Sequence, residues 1–182
     1  MSQVKVLLLR GVNVAGANRL PMPEFRDMLA DLGVPGAQTH IQSGNAVFLD
    51  PGVAGLTDKI STAMRDRFGF SPAMFMLTLT EFMAVLAANP YAAQGGAEGD
   101  KVHVYFLAAP ATDSDLMALK AVADPSESFQ QKGNALYLLA PNGIGRSVLA
   151  SKIDKILKVG MTARNQRSVE AIAALGKTIP KA

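Results

Sequence analysis

Apolar residues along the chain fall into short runs separated by glycine, asparagine and proline, and the runs alternate between two periods. Residues 4–9 (VKVLLL) form a nearly unbroken apolar stretch of strand length, which predicts a buried first strand. The segment GVNVAGANRLPMP follows. Phe25, Met28, Leu29 and Leu32 then recur on one helical face from a start near Pro23, and Gly33 with Pro35 just beyond ends that helix. A second strand is expected at about 37–42, a turn at SGN (43–45) and a third strand at 46–49, because glycine and asparagine tolerate the backbone of tight turns. Leu56, Ile60, Ala63 and Met64 mark a second helix. A fourth strand at about 73–77 completes a β-α-β-β-α-β order.

Leu79, Phe82, Met83 and Leu86 predict a linking helix, and NPYAAQGGAEGD after it reads as a mobile loop by composition. The pattern then restarts. VHVYFL (102–107) is a strand, and Thr112 with Asp115 forms a capping box for the next helix. A strand near 126–131 turns at KGN into ALYLL (135–139). A helix runs from Ser147 with Leu149, Ile153, Ile156 and Leu157 in register, followed by a short strand near 160–163 and a last helix from Asn165. Residues 42–49 (QSGNAVFL) match residues 131–138 (QKGNALYL), and a proline and a glycine follow both. The same turn chemistry could produce such a match. Its place in two equivalent patterns points to duplication. The expected architecture is α+β with tandem duplicated ferredoxin-like halves (βαββαβ, the αβ-plait). These are an N-terminal half at 1–78, a linking helix and flexible loop at 79–100, and a C-terminal half with an extra helix at 101–182.

Composition removes several chemistries. With no cysteine in 182 residues, disulfides, thiolate catalysis, iron–sulfur ligation and cysteine-based zinc sites are excluded. The two histidines, His40 and His103, lack the spacing of a helical metal site, so no metal is expected. GVNVAG is neither a G-x-G-x-x-G fingerprint nor a G-K-[ST] loop, and no cofactor is expected. A net charge of +3, from 18 basic and 15 acidic residues, reads as an ordinary solvated surface, with Lys177 and Lys181 in a tail. The one modest basic concentration is Lys152, Lys155, Lys158, Arg164 and Arg167. No apolar run approaches a membrane span, and the first is too short for a signal peptide. A cytoplasmic protein without a membrane partner is the expectation.

Strand direction in a plait gathers polar residues at two sheet ends. The loop after the first strand and the hairpin after the second emerge together, collecting Arg10, Asn13, Asn18 and Arg19 with Ser43 and Asn45. At the opposite end of the second half lie Asn142, Arg146 and Ser147, together with Arg164 and Asn165, in loops that run into helix N-termini. Unpaired N–H groups there favour an anion, and arginine adds charge-assisted bonds. Each residue also has a plainer reading: Asn45 as a turn residue, Ser147 and Asn165 as helix caps, and Arg10 as a partner for a structural carboxylate or carbonyl.

Three segments (LLRGVNVAGANRLPMPEFRDMLADLG, THIQSGNAVF and PNGIGRSVLASKIDKILKVGMTARNQRSV) closely resemble the bacterial domain-of-unknown-function family numbered 1697, over nearly the whole chain. The resemblance implies tandem αβ-plaits and carries no established activity, substrate or cofactor. Leu8, Leu9, Arg10, Gly11, Asn13, Gly16, Asn18, Met22, Ser43, Gly44 and Asn45 fit the family pattern. The C-terminal motif departs from it. The family tends to Lys at Val148, Trp at Gln166 and Asn at Arg167, so a ligand site built on that Lys and Trp would be altered here. The leading expectation is a soluble binding protein for an anionic ligand: a phosphorylated small molecule, a nucleotide or a nucleic acid. One alternative is an enzyme acting on a phosphorylated small molecule, with Arg10, Arg146 or Arg164 as the clamp and His40 or His103 as general base. A structural or protein-interaction domain, such as a homodimer through a sheet edge or face, is the other.

Overall fold

Each half of the chain is organised around a central strand that is antiparallel to both its neighbours. The computed structural model describes residues 3–95 and 99–180. The middle of the loop expected to be mobile, including Glu98, lies outside the described residues, as does Lys181. In the first half β1 (Val4–Leu9), α1 (Met22–Asp31), β2 (Gln38–His40), β3 (Asn45–Leu49), α2 (Leu56–Phe68) and β4 (Met74–Thr78) form a sheet of order β2-β3-β1-β4. After α3 (Leu79–Ala87), the second half repeats this with β5 (Val102–Leu107), α4 (Asp113–Val122), β6 (Ser128–Lys132), β7 (Ala135–Leu139), α5 (Val148–Leu157) and β8 (Met161–Asn165), in the order β6-β7-β5-β8. The last helix is α6 (Gln166–Thr178). The protein is thus mixed α+β, with two four-stranded antiparallel sheets, two similar halves and, among the described residues, six α-helices. It divides into two compact units, one of residues up to Ala84 with those from Ala171 on, the other of Val85–Glu170.

Backbone pairing at the sheet ends is equivalent in the two halves. Leu9 N donates to Gly44 O at 2.9 Å, and Leu107 N to Asn134 O at 2.8 Å. Arg10 N donates to Ala73 O and Ala108 N to Gly160 O, while Asp50 N reaches Gln3 O and Ala140 N reaches Lys101 O. The central strands read as continuous apolar runs because both faces of each sheet are covered. Leu7 and Leu9 pack with Phe25 of α1 and Ile60 of α2, and Val6 and Leu8 on the other face are equally buried. In the second unit Tyr105 and Leu107 pack with Leu119 of α4 and Ile153 of α5. Val104 and Tyr137 are buried opposite, with the Tyr137 hydroxyl donating to Val85 O.

The capping box at Thr112 and Asp115 forms as expected. Five details differ. β2 stops at His40 because Ile41 is left-handed (φ +47°), and Asn45 belongs to β3 rather than to the turn. β6 extends to Lys132, and β8 to Asn165, which precedes α6 instead of opening it. The fifth corrects the sequence match between the hairpins. Pairing register makes Asn45 the counterpart of Ala135, so the match of 42–49 with 131–138 is out of structural phase by one residue. Turn length is the physical reason. Four residues, 41–44, join β2 to β3, whereas Gly133 and Asn134 alone join β6 to β7, and a slip of one residue reverses which side chains face the helices.

The two hairpin glycines are therefore under different constraints. A Cβ on Gly44 would stand 2.6 Å from Val12 and 2.8 Å from Leu9, at φ +70°. One on Gly133, at φ +55°, meets nothing within 4 Å. Gly44→Ala is expected to destabilise by about 3–4 kcal/mol, from left-handed strain plus overpacking, against about 1 kcal/mol for Gly133→Ala. Urea unfolding of both variants checks this; equal losses would contradict it.

Candidate functional site

The first sheet end brings together Arg10, Asn13, Asn18, Ser43 and Asn45, and the hydrogen bonds of its asparagines fasten loops. Asn13 Nδ2 donates to Leu20 O (2.9 Å) and to Gln42 O (2.7 Å), and its Oδ1 accepts from Leu20 N (2.8 Å). Asn18 Nδ2 donates to Gly11 O at 3.0 Å. Both residues are left-handed (φ +54° and +50°), a conformation that asparagine tolerates better than most residues do. Asn45 is fully buried, donating to His40 O (3.1 Å) and to Ser43 Oγ (2.9 Å). Arg10 is half-buried. Partial burial of His40 holds its pKa below the ordinary histidine value.

In the second unit Asn142, Arg146 and Ser147 converge on a cavity of about 270 Å³, with Gly143 and Val148 on the same wall. The loop between α4 and β6 supplies the other wall through Asp124, Ser126 and Glu127. Ser147 caps α5, its Oγ accepting from Ala150 N at 2.9 Å. The preceding amide of that first turn, Leu149 N, is taken by Glu127 Oε2 at 3.2 Å, which also accepts from Asp124 N at 3.0 Å. The protein's own carboxylate therefore occupies the position in which an anion at this helix N-terminus was expected. Asp124 accepts from the backbone N–H and the hydroxyl of Ser126, bonds that hold its carboxyl below the usual carboxylate range. Behind Glu127, burial and that carboxylate's charge push the Tyr105 hydroxyl up to about 12.

Arg164 and Asn165 stand apart from this cavity. Arg164 is buried on the sheet face opposite the helices, bonded to Thr162 Oγ1 (2.9 Å) and Ala163 O (2.8 Å), and burial brings its pKa down to about 10. Asn165 Oδ1 accepts from Ser168 N at 2.8 Å, tying down the first turn of α6. Val148, one of the three positions at which the resemblance implies a different residue, lines the cavity. Gln166 is buried in a network, accepting from Asn89 Nδ2 at 2.7 Å and donating to Glu170 at 2.8 Å. Sequence reasoning missed the acidic wall, whose only local signal is the turn spelled by Asp124, Pro125, Ser126 and Glu127. It also missed Asp100 and His103 as a pair. Asp100 Oδ1 and His103 Nδ1 are buried without hydrogen-bond partners, and Asp100 Oδ2 lies 3.1 Å from where a Cβ on Gly143 would stand. Among the described residues, no group of three histidine, cysteine or acidic side chains could hold a metal, and no helix is long and apolar enough to cross a membrane.

A two-sheet α+β protein with a polar cleft in its second unit is the class these observations define. The chain belongs to the protein family of unknown function DUF1697, whose model matches residues 1–137. That match stops short of the cleft residues 142–148, so the family likeness covers the first sheet end and not this wall. The fold is similar to that of the conserved bacterial protein SP0830 from Streptococcus pneumoniae, at 22% identity over 96% of this chain and 99% of that one, with a TM-score of 0.73. No curated protein matches.

Burial lowers the pKa of His103 to about 4, the charge of Asp100 offsetting part of the shift. The unfolded chain takes up this proton near pH 6.5 and the folded chain only near 4. The group thus reduces stability as pH falls through that interval, by about 2 kcal/mol at pH 5 relative to neutral pH. His103→Gln should narrow the gap between unfolding free energies at pH 5 and pH 7.5 by about that amount; an unchanged gap would contradict the assignment.

Proposed function

We propose that this protein is a binding protein for a small anionic molecule, phosphorylated and bearing hydroxyl or amine donors, held in the cleft of the second unit. The observation that carries this reading is the convergence of Arg146 and Asn142 on one wall with Asp124 and Glu127 on the other. Arginine supplies a charge-assisted fork for the anionic group, and the two carboxylates accept from donors elsewhere on the same molecule. Glu127 is itself anchored by two backbone amides and so presents a fixed acceptor. We read each half as a ferredoxin-like αβ-plait and the pair as an ancient duplication. The shared strand order and the equivalent closing bonds at the sheet ends support that reading.

A second reading, an enzyme acting on the same class of molecule, is favoured by the Asp100 and His103 pair. Burial keeps the His103 imidazole neutral at pH 7, the state a general base needs. The Asp100 charge acts on it, and Asp100 itself lies beside Gly143 of the cleft wall. Two measurements separate the readings. Calorimetric titration with ribose 5-phosphate should show saturable binding that Arg146→Ala weakens about tenfold or more; unchanged affinity would remove the cleft from consideration. NMR titration of His103 should show its pKa falling further in Asp100→Asn, because the neighbouring charge that raises it is gone. No change on that substitution would remove the second reading.

A further inference from the structure

The loop that forms one wall of the cleft carries a peptide bond with chemistry of its own. The chain has seven asparagines, and Asn142 is the one followed by glycine. An asparagine side chain is open to attack at Cγ by the backbone nitrogen of the next residue, and a Cβ on that residue hinders the approach. Burial and bonding separate the seven further. The side chains of Asn13, Asn18, Asn45, Asn89 and Asn165 are held by hydrogen bonds to their surroundings. Asn89 also precedes Pro90, whose nitrogen has no proton to give up. Among the described residues Asn134 and Asn142 have no side-chain hydrogen bond, and Asn134 is followed by Ala135, the first residue of β7. Asn142 is exposed, in the turn between β7 and the short 3-10 turn Ile144–Arg146. With nothing holding its amide, the side chain samples the rotamer that carries Cγ over the Gly143 nitrogen.

One contact opposes the attack. Gly143 N donates to Ala140 O at 2.9 Å, closing the turn, and must release that oxygen before it reacts. The turn residues Pro141 and Asn142 are exposed, so this opening is local and does not require global unfolding. Folding therefore slows the reaction at Asn142 and holds back the five bonded asparagines further.

We propose that Asn142 is a site of spontaneous deamidation. The Gly143 nitrogen forms a bond to Asn142 Cγ, the bond from Cγ to the side-chain nitrogen breaks, and that nitrogen leaves as ammonia with the proton that Gly143 gives up. Water then opens the five-membered imide at either carbonyl, giving aspartate or isoaspartate. The consequence for binding rests on the cleft reading above. A third carboxylate enters a cleft that already sets Asp124 and Glu127 against Arg146, and its preference for an anion falls.

Incubation of the full chain at mildly alkaline pH, followed by digestion in acid and peptide mapping by mass spectrometry, tests the proposal. Deamidation should accumulate at Asn142 ahead of every other asparagine, with aspartate and isoaspartate both present. It should speed roughly tenfold per pH unit, because the nitrogen attacks after losing its proton. Asn142→Gln, whose ring would be one atom larger, should remove the signal, and unfolding in guanidinium chloride should speed the reaction by freeing Gly143 N. Earlier deamidation at another asparagine would overturn the proposal. So would an Asn142 that stays intact in the folded chain while the unfolded chain reacts there. Asn142→Asp distinguishes this failure from failure of the cleft: ribose 5-phosphate affinity should fall about threefold or more. Unchanged affinity in a chain that does deamidate at Asn142 would overturn the cleft reading and leave the modification site standing.

Discussion

Everything in this fold depends on the antiparallel pairing of a central apolar strand with both its neighbours. Because β1 lies between β3 and β4, the end of β1, the β2–β3 turn and the start of β4 must all meet at one end of the sheet, and the same holds around β5. The Leu9–Gly44 and Leu107–Asn134 backbone bonds close that arrangement. Burial on both faces fixes the register, since shifting either strand by one residue would exchange its two sets of buried side chains. Loop residues at these ends can then vary in length and chemistry without disturbing the core.

Much of this was legible in the sequence. Unbroken apolar runs such as VKVLLL announce strands covered on both sides, and Phe25, Met28 and Leu29 announce the buried face of α1. The hairpin match differs from the structural pairing for a physical reason. QSGN and QKGN are alike as strings, but one spans a four-residue turn and the other a two-residue turn, and the left-handed Ile41 that makes the difference has no signature in side-chain type. Asn45 looked like a turn residue and is a buried strand residue that fastens the turn from within.

The candidate sites were legible in part, and the missing part is electrostatic. Strand direction places Asn142, Arg146 and Ser147 together, and the cleft gathers those three. Sequence could not show that Glu127, fifteen or more residues away from each of them, reaches across to the first turn of α5. A helix N-terminus that looks available for an external anion is thereby neutralised from inside, and Arg146 is left as the wall's charged group. Arg164 illustrates the converse: a charge that reads as surface chemistry lies on the covered face of β8, bonded to its own strand. At the first sheet end the asparagines that suggest a ligand instead explain how two long loops are held in left-handed conformations.

The central claim is that the polar cleft of the second unit, rather than the asparagine-rich end of the first, takes the small anionic ligand. Amide hydrogen exchange measured with and without ribose 5-phosphate tests it directly. The account predicts slowed exchange at residues 142–149 and 124–127 and none at residues 11–19. Protection confined to residues 11–19 and 41–44, with the cleft unchanged, would contradict it.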